Sequence, residues 1–426
     1  KTGSIPKIEM VYESFKNYVQ GESAPESITE VVEDIYKFSN HYVNIVLHKE
    51  TDTDIREAFK SISKLKVDVS YPYILPIYND YTNEVISKLE LLEIINFVES
   101  YVFRRAICGI PTNSMNKTFS NLYKSVQKDK YVESVKASLQ LLESYKRFPT
   151  DSEFEKEIVI KDVYNFRSRN YLLSKLENYK RKELVNVDNY TIEHVMPQNP
   201  NLSEEWRTML GENWKIIQES YLHTIGNLTL TGYNSELSDR PFSQKKTIEG
   251  GFNHSPIRLN DFFRRADVWR EEEILTRAKE LASKATEIWT SPNLNDEQLE
   301  YYKPEEKSSA TYSVDSYDFL KGDMIELYEA LKKRILNIDS SVYEEYKKLY
   351  IAYKSSTNFV DIVPQKSRLR LSLNIPFSNI IDPNGFCKDI TDLGRWGNGD
   401  VEVGFENLNQ LDDIMELIEQ AFAMQD

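Results

Sequence analysis

Of the five histidines, His41, His48, His194, His223 and His254, His194 has the company best suited to hydrolysis. It stands in Thr191-Ile192-Glu193-His194-Val195-Met196-Pro197-Gln198, where a carboxylate adjoins an imidazole at the end of a short apolar run and a proline then stops the chain. Imidazole is the side chain best suited to take a proton from water near neutral pH. A carboxylate oxygen is a hard ligand suited to Mg2+ or Mn2+. A Glu-His pair alone also suits a structural histidine, so its surroundings decide. Further along, Gly226-Asn227-Leu228-Thr229-Leu230-Thr231-Gly232-Tyr233-Asn234 supplies two asparagines, and Arg240, Phe242, Lys245 and Lys246 follow. Together these offer an acid-imidazole pair, an asparagine to fix a loop, a second neutral oxygen ligand, and cations for phosphate oxygens. His223, four residues before Asn227, is open to three roles: ligand, substrate contact, or loop packing. His41 and His48 lack a third ligand nearby, and His254 follows Gly250-Gly251 in a surface loop.

These residues need elements to hold them. Thr191 to His194 reads as a strand end, and Ile225 to Leu230 as a short strand. Neighbouring strand residues point to opposite faces, although a twisted end or bulge can bring Glu193 and His194 to one site. Two short helices stand between the strands, Ser203 to Leu210, stopped by Gly211, and Asn213 to about Ser220. A turn at Gly232-Tyr233-Asn234 follows. Ile274, Leu275, Ala278, Leu281, Ala282, Ala285 and Ile288 then mark one face of a long closing helix.

Upstream, Val85, Leu89, Leu92, Ile95, Val98 and Val102 recur at helical spacing, and Tyr131 to Tyr145 repeats the signal. Pro72, Pro76 and Pro111 should punctuate helices. Tyr71, Tyr73, Tyr78, Tyr81 and Phe97 read as packing residues. Downstream, Ser291-Pro292-Asn293 and Lys303-Pro304-Glu305-Glu306 suggest a linker. Helices near 316–336 and 340–354 are expected next, then alternating strands at 368–375 and 401–405, then a helix carrying Leu411, Ile414, Met415, Ile418 and Phe422. The expected organisation is a helical domain at 1–150, a domain carrying the chemistry at 151–290, a linker at 291–313 and an α+β domain at 314–426.

The composition bounds the reading. The 426 residues, 40% hydrophobic and 28% charged, are ordinary for a globular chain. No apolar run is long enough to span a bilayer, and mean hydropathy is -0.54. Cys108 and Cys387 form no paired motif, which fits a reducing cytoplasm. The start, Lys1-Thr2-Gly3-Ser4, reads as part of something longer. The net charge of -15 gives no global attraction to nucleic acid, so any such contact needs a local basic surface. Arg167, Arg169, Lys175, Lys180, Arg181 and Lys182 offer one stretch, and Arg240, Arg258, Arg264, Arg265 and Arg270 another. Residues 400–426 hold no Lys or Arg.

The constellation resembles the ββα-metal motif of HNH, or His-Me finger, nucleases. The wider wording, including Pro241-Phe242-Ser243-Gln244-Lys245-Lys246, is similar to the C-terminal nuclease half of GmrSD-type modification-dependent (type IV) restriction endonucleases. Tyr101-Val102-Phe103-Arg104-Arg105, Cys108-Gly109-Ile110-Pro111-Thr112 and Phe148-Pro149-Thr150-Asp151 match the helical region that leads into this half. The resemblance covers about residues 85 to 290. A weaker one likens the C-terminal region to a small domain of unknown function. The fold implied is mostly α with an embedded small ββα-metal core and a C-terminal α+β domain.

By the same resemblance, His194 would be the general base, Glu193 and Asn234 the ligands of a divalent cation, Mg2+ or Mn2+, and Asn227 the loop brace. Lys245, Lys246, His223 and Arg240 would meet the substrate. The activity implied is endonucleolytic cleavage of foreign DNA, with modified cytosine as one candidate mark, in phage defence. The family's NTPase domain, with its Asp-Gly-Gln-Gln-Arg-like motif, is not found in these residues and would be a partner. A second copy of the chain is an open alternative. The rival reading is a nucleic-acid or protein-binding scaffold that keeps the fold without turnover.

Overall fold

The computed structural model describes residues 8–20, 27–112, 115–303, 312–339, 341–355, 357–391 and 399–425. The chain divides into two compact units, Lys1–Tyr302 and Lys303–Asp426. None of the described helices is long and apolar enough to cross a membrane.

Apolar periodicity becomes helix through most of the first unit. Ser87 caps the helix Lys88–Ile107 in a reciprocal box with Glu90, and its Leu91, Ile94, Ile95 and Val98 are buried. Tyr71, Tyr73, Tyr78 and Phe97 pack in the same core, as their spacing suggests. Pro72 occupies the first turn of the helix Tyr71–Thr82, where a missing N–H costs nothing, but Pro76 lies inside that helix instead of ending it. The stretches read as two domains, 1–150 and 151–290, share a core. Phe103 stacks on Trp289 at 4.1 Å between ring centres, and Phe103, Phe154, Leu173, Leu228 and Leu281 belong to one cluster. Within the stretch read as linker, the helix Asp296–Tyr302 docks on the first unit, with Tyr302 donating to Glu133 at 2.8 Å. Residues 304–311 lie outside the described residues.

The unit's two described strands, β1 (Thr191–His194) and β2 (Leu228–Thr231), pair antiparallel, His194 opposite Leu228 and Thr191 opposite Thr231. The helices between them are Glu204–Leu210, capped by Ser203 and ended by Gly211 at φ 84°, and Trp214–Tyr221. The expected turn at 232–234 leads straight into a one-turn helix, Asn234–Leu237, followed by Phe242–Thr247 and the long Glu271–Ile288.

The second unit carries the helix Asp323–Leu336, a six-stranded antiparallel sheet, and the helix Leu411–Ala423. Its strands are β3 (Tyr343–Tyr346), β4 (Ile351–Lys354), β5 (Asn358–Pro364), β6 (Leu369–Leu373), β7 (Cys387–Asp389) and β8 (Val401–Phe405), in the order β3-β4-β5-β6-β8-β7. The helix expected at 340–354 is therefore corrected to the hairpin β3–β4. Glu344 explains the change. Its carboxylate accepts from Tyr353 at 2.6 Å and from Tyr328, and pairs with Lys332 at 2.9 Å. This tertiary network overrides the helix propensity of a Glu- and Lys-rich stretch.

Candidate active site

His194 closes β1 and is 4% exposed. Gln198 Nε2 lies 2.7 Å from its Nδ1, and His223 Nδ1 lies 3.1 Å from its Nε2. Tyr164 packs edge-on against His194 and stacks on His223, at 4.5 and 5.1 Å between centres. His223 is only half-buried, so it forms the open side of the pair. Its carbonyl accepts from the backbone N–H of Val163 at 2.8 Å, which fixes Tyr164 beside both imidazoles.

Burial above all, then the charges of His223 and Lys245, pulls the His194 imidazole down to about 3, with Asp162 opposing. The ring is thus neutral at physiological pH, with each nitrogen facing a hydrogen-bonding partner. Asp162 itself is held below the usual carboxylate range. Its burial works the other way but is outweighed by N–H donors of Asn165 and by the two imidazoles.

Glu193 has different company. As consecutive residues of a regular strand, Glu193 and His194 send their side chains to opposite faces. Glu193 is 3% exposed, and its Oε1 lies 2.5 Å from Nζ of Lys245, which is fully buried on the helix Phe242–Thr247. That ammonium also donates to the His194 carbonyl at 2.9 Å. Burial pushes the Glu193 carboxyl up to about 7, although the charge of Lys245 draws it back, and burial lowers Lys245.

Asn227, wholly buried, ties the loop after His194. Its Oδ1 accepts from Met196 N at 2.8 Å and from the Trp269 indole at 3.1 Å, and its Nδ2 donates to the carbonyls of Met196 and Leu222. Asn234 reaches back to β1, donating to Ile192 O at 2.8 Å and to Thr191 Oγ1 at 3.3 Å. Of the expected cation ligands, Glu193 does not fit a metal as it stands. The Glu193 oxygen already faces an ammonium, Asn234 engages only its Nδ2 and so keeps Oδ1 for a ligand, and among the described residues no three His, Cys, Asp or Glu side chains group to hold a metal ion.

The expected substrate contacts separate. His223 joins His194, whereas Lys245 cannot meet a phosphate without leaving Glu193. Lys246 donates to Ala266 O at 2.5 Å, and Arg240, exposed, donates to Glu236 O at 2.7 Å. Gln198, Tyr164 and Trp269 carried no assigned role in the sequence. Gln198 stood within the Glu-His wording, but nothing local marks the other two.

Over about pH 3 to 6.5 the unfolded chain binds a proton at His194 that the folded chain refuses. The stability this contributes is whole above 6.5 and drains as pH falls, by at most about 1.4 kcal/mol per pH unit. Glu193 acts in the opposite sense between its ordinary value and about 7. His194→Gln should therefore show a weaker acid loss of stability than the parent in urea unfolding at pH 7 and pH 5. Separately, a Cβ on Gly226 would stand 2.4 Å from the Ile274 carbonyl in the helix Glu271–Ile288. Gly226→Ala should cost about 1–3 kcal/mol by forcing that helix off β2, read as a lower urea midpoint.

Residues 148–284 match the family described as GmrSD restriction endonucleases, C-terminal domain, and residues 316–425 match a domain of unknown function, DUF5655. An uncharacterized protein of Haemophilus influenzae is 40% identical over 108 residues, covering 25% of this chain. The chain spans about a third, 34%, of the length of that relative. The segment carrying every residue of this site is thus similar to the C-terminal domain of GmrSD restriction endonucleases.

Proposed function

We propose that residues 148–284 hydrolyse phosphodiester bonds in DNA, as a module restricting foreign, base-modified DNA, with His194 as the general base. The observation that carries this is the neutral imidazole at the end of β1, aimed by Gln198 on one nitrogen and facing His223 with the other. A neutral ring with its proton on Nδ1 accepts a further proton at Nε2, and Gln198 suits that tautomer once its side-chain amide is flipped to present Oε1 to the Nδ1–H. His223, on the solvent side, meets the water first and lies within hydrogen-bond distance of His194 for passing the proton on. Asn227 keeps the loop that frames the pair in place. The pairing of β1 and β2 followed by the helix Asn234–Leu237 supports reading this core as the ββα arrangement of HNH nucleases.

A divalent cation, Mg2+ or Mn2+, enters through the family resemblance. Glu193 would need to leave Lys245 to hold it, and the proton transfer at His194 does not depend on it. When bound, such an ion supplies charge to stabilise the leaving oxygen. The buried Glu193–Lys245 pair favours a second reading, a scaffold that keeps the fold without turnover, because a satisfied ion pair stands where a ligand is expected. The test is to incubate the purified chain with supercoiled plasmid and Mg2+ or Mn2+, with and without chelator. Nicking supports cleavage, its loss on adding chelator supports a divalent cation in the reaction, and intact plasmid under every condition supports the scaffold.

A further inference from the structure

A cleft of about 640 Å³ opens between the helix Glu271–Ile288, the end of the helix Arg169–Asn178, and residues 258–265. Its cations are Lys180, Arg258, Arg264, Arg265, Arg277 and Lys284, against the carboxylates of Asp261 and Glu280. In a chain with 68 acidic and 53 basic residues, this inversion of charge is local and steep. The available anions do not neutralise it. Asp261 holds Arg264 at 2.7 Å, Glu280 stands 3.7 Å from Arg265, and Lys180 pairs with Glu287 outside the lining at 2.7 Å. Arg258 bonds only to carbonyl oxygen through its side chain, at Tyr179, and Lys284 has no ion-pair partner among the described residues.

Arg277 makes the excess hard to explain as solvated surface. It is 1% exposed, yet its guanidinium bonds only to carbonyls, those of Ile225 at 2.8 Å, Gly226 at 2.7 Å and Leu259 at 3.1 Å. Its opposing charge is Glu280, one turn along the helix and already beside Arg265, and its other face lies on the Phe263 ring at 4.6 Å; burying a charge so thinly compensated is costly, and a bound anion in the cleft would lower that cost. Two of the carbonyls it clasps lie between His223 and Asn227, so the wall of the cleft holds the backbone that carries the candidate site.

We propose that this cleft binds the phosphodiester backbone of a nucleic-acid strand at a distance from the bond that is cut. Guanidinium groups match phosphate oxygens in paired hydrogen bonds, and the rings of Tyr179 and Phe262 in the lining carry Lys180 and Arg265 over them, which holds these cations at the cleft. The proposal rests on the cleavage reading for the identity of the strand, but its test is separate. Anisotropy of a labelled DNA duplex is followed against salt for the full chain, for Arg265→Glu with Lys284→Glu, both exposed, and for Lys64→Glu, an exposed cation outside the cleft.

The cleft variant should bind about tenfold or more weakly and lower the salt slope by about two, because each phosphate contact contributes about one to that slope. Lys64→Glu should bind like the parent. Equal binding by the cleft variant, or a loss matched by Lys64→Glu, overturns the proposal. So does binding of inorganic pyrophosphate that the cleft variant loses while its duplex binding matches the parent's. Lost binding in the cleft variant with no cleavage by the parent would keep the cleft and sink the cleavage reading; cleavage with unaltered binding would do the reverse.

Discussion

Lys245→Met should lower the unfolding free energy by about 3–5 kcal/mol, because it removes one partner of a fully buried ion pair and leaves the other without compensation. Methionine fills most of the volume of the lysine stem, so the loss reports charge rather than a cavity. The Glu193 carboxylate would lose its 2.5 Å partner while remaining 3% exposed, and the His194 carbonyl would lose a donor as well. The sign with pH follows. Burial already raises Glu193 to about 7, and without the ammonium it rises further. The folded variant then holds a proton that the unfolded chain releases above the ordinary carboxylate range. The deficit should therefore be small near pH 5 and grow toward pH 8. Urea unfolding at both values checks this, and adding Glu193→Gln should recover most of the loss at the higher pH. A variant as stable as the parent at pH 8 would mean that the pair is not formed.

The strands and helices that bury one face were legible because their periodicity is local. Leu369, Leu371 and Leu373 alternate in β6, and Ile274, Ala278, Leu281 and Ala285 repeat on one helix, and in each case these residues are buried. The hairpin β3–β4 was not legible, because Glu344 becomes a strand residue only through Tyr328, Tyr353 and Lys332, none of which a local pattern connects to it. Pro76 misleads in the same way, since a proline reads as a boundary whereas the packing of Ile74, Ile77 and Tyr78 carries the helix through it.

At the site, the brace by Asn227 was within reach of motif reasoning and is present as contacts to Met196 and Leu222, whereas the pairing of His223 with His194 was not, since ligand, substrate contact and loop packing all stood open for it. Nor was the capture of Glu193 by Lys245. The two residues stand far apart in the chain, and a lysine and a glutamate so separated read as two exposed charges until the fold buries both.

His194→Ala should reduce cleavage by about 10²–10⁴-fold, the usual contribution of a positioned general base. The ring is the residue at the end of β1 that is neutral at pH 7, oriented through both nitrogens, and connected to solvent through a second imidazole. Removing it also frees Gln198 and His223, so the comparison needs the urea midpoint and the DNA affinity of each protein beside the rate. The most direct measurement is single-turnover nicking of circular DNA by parent and His194→Ala at saturating protein and equal divalent cation. The variant should stay folded and bind DNA as the parent does while nicking at least about 10²-fold more slowly. A folded variant that nicks as fast as the parent would contradict the role of His194 as general base.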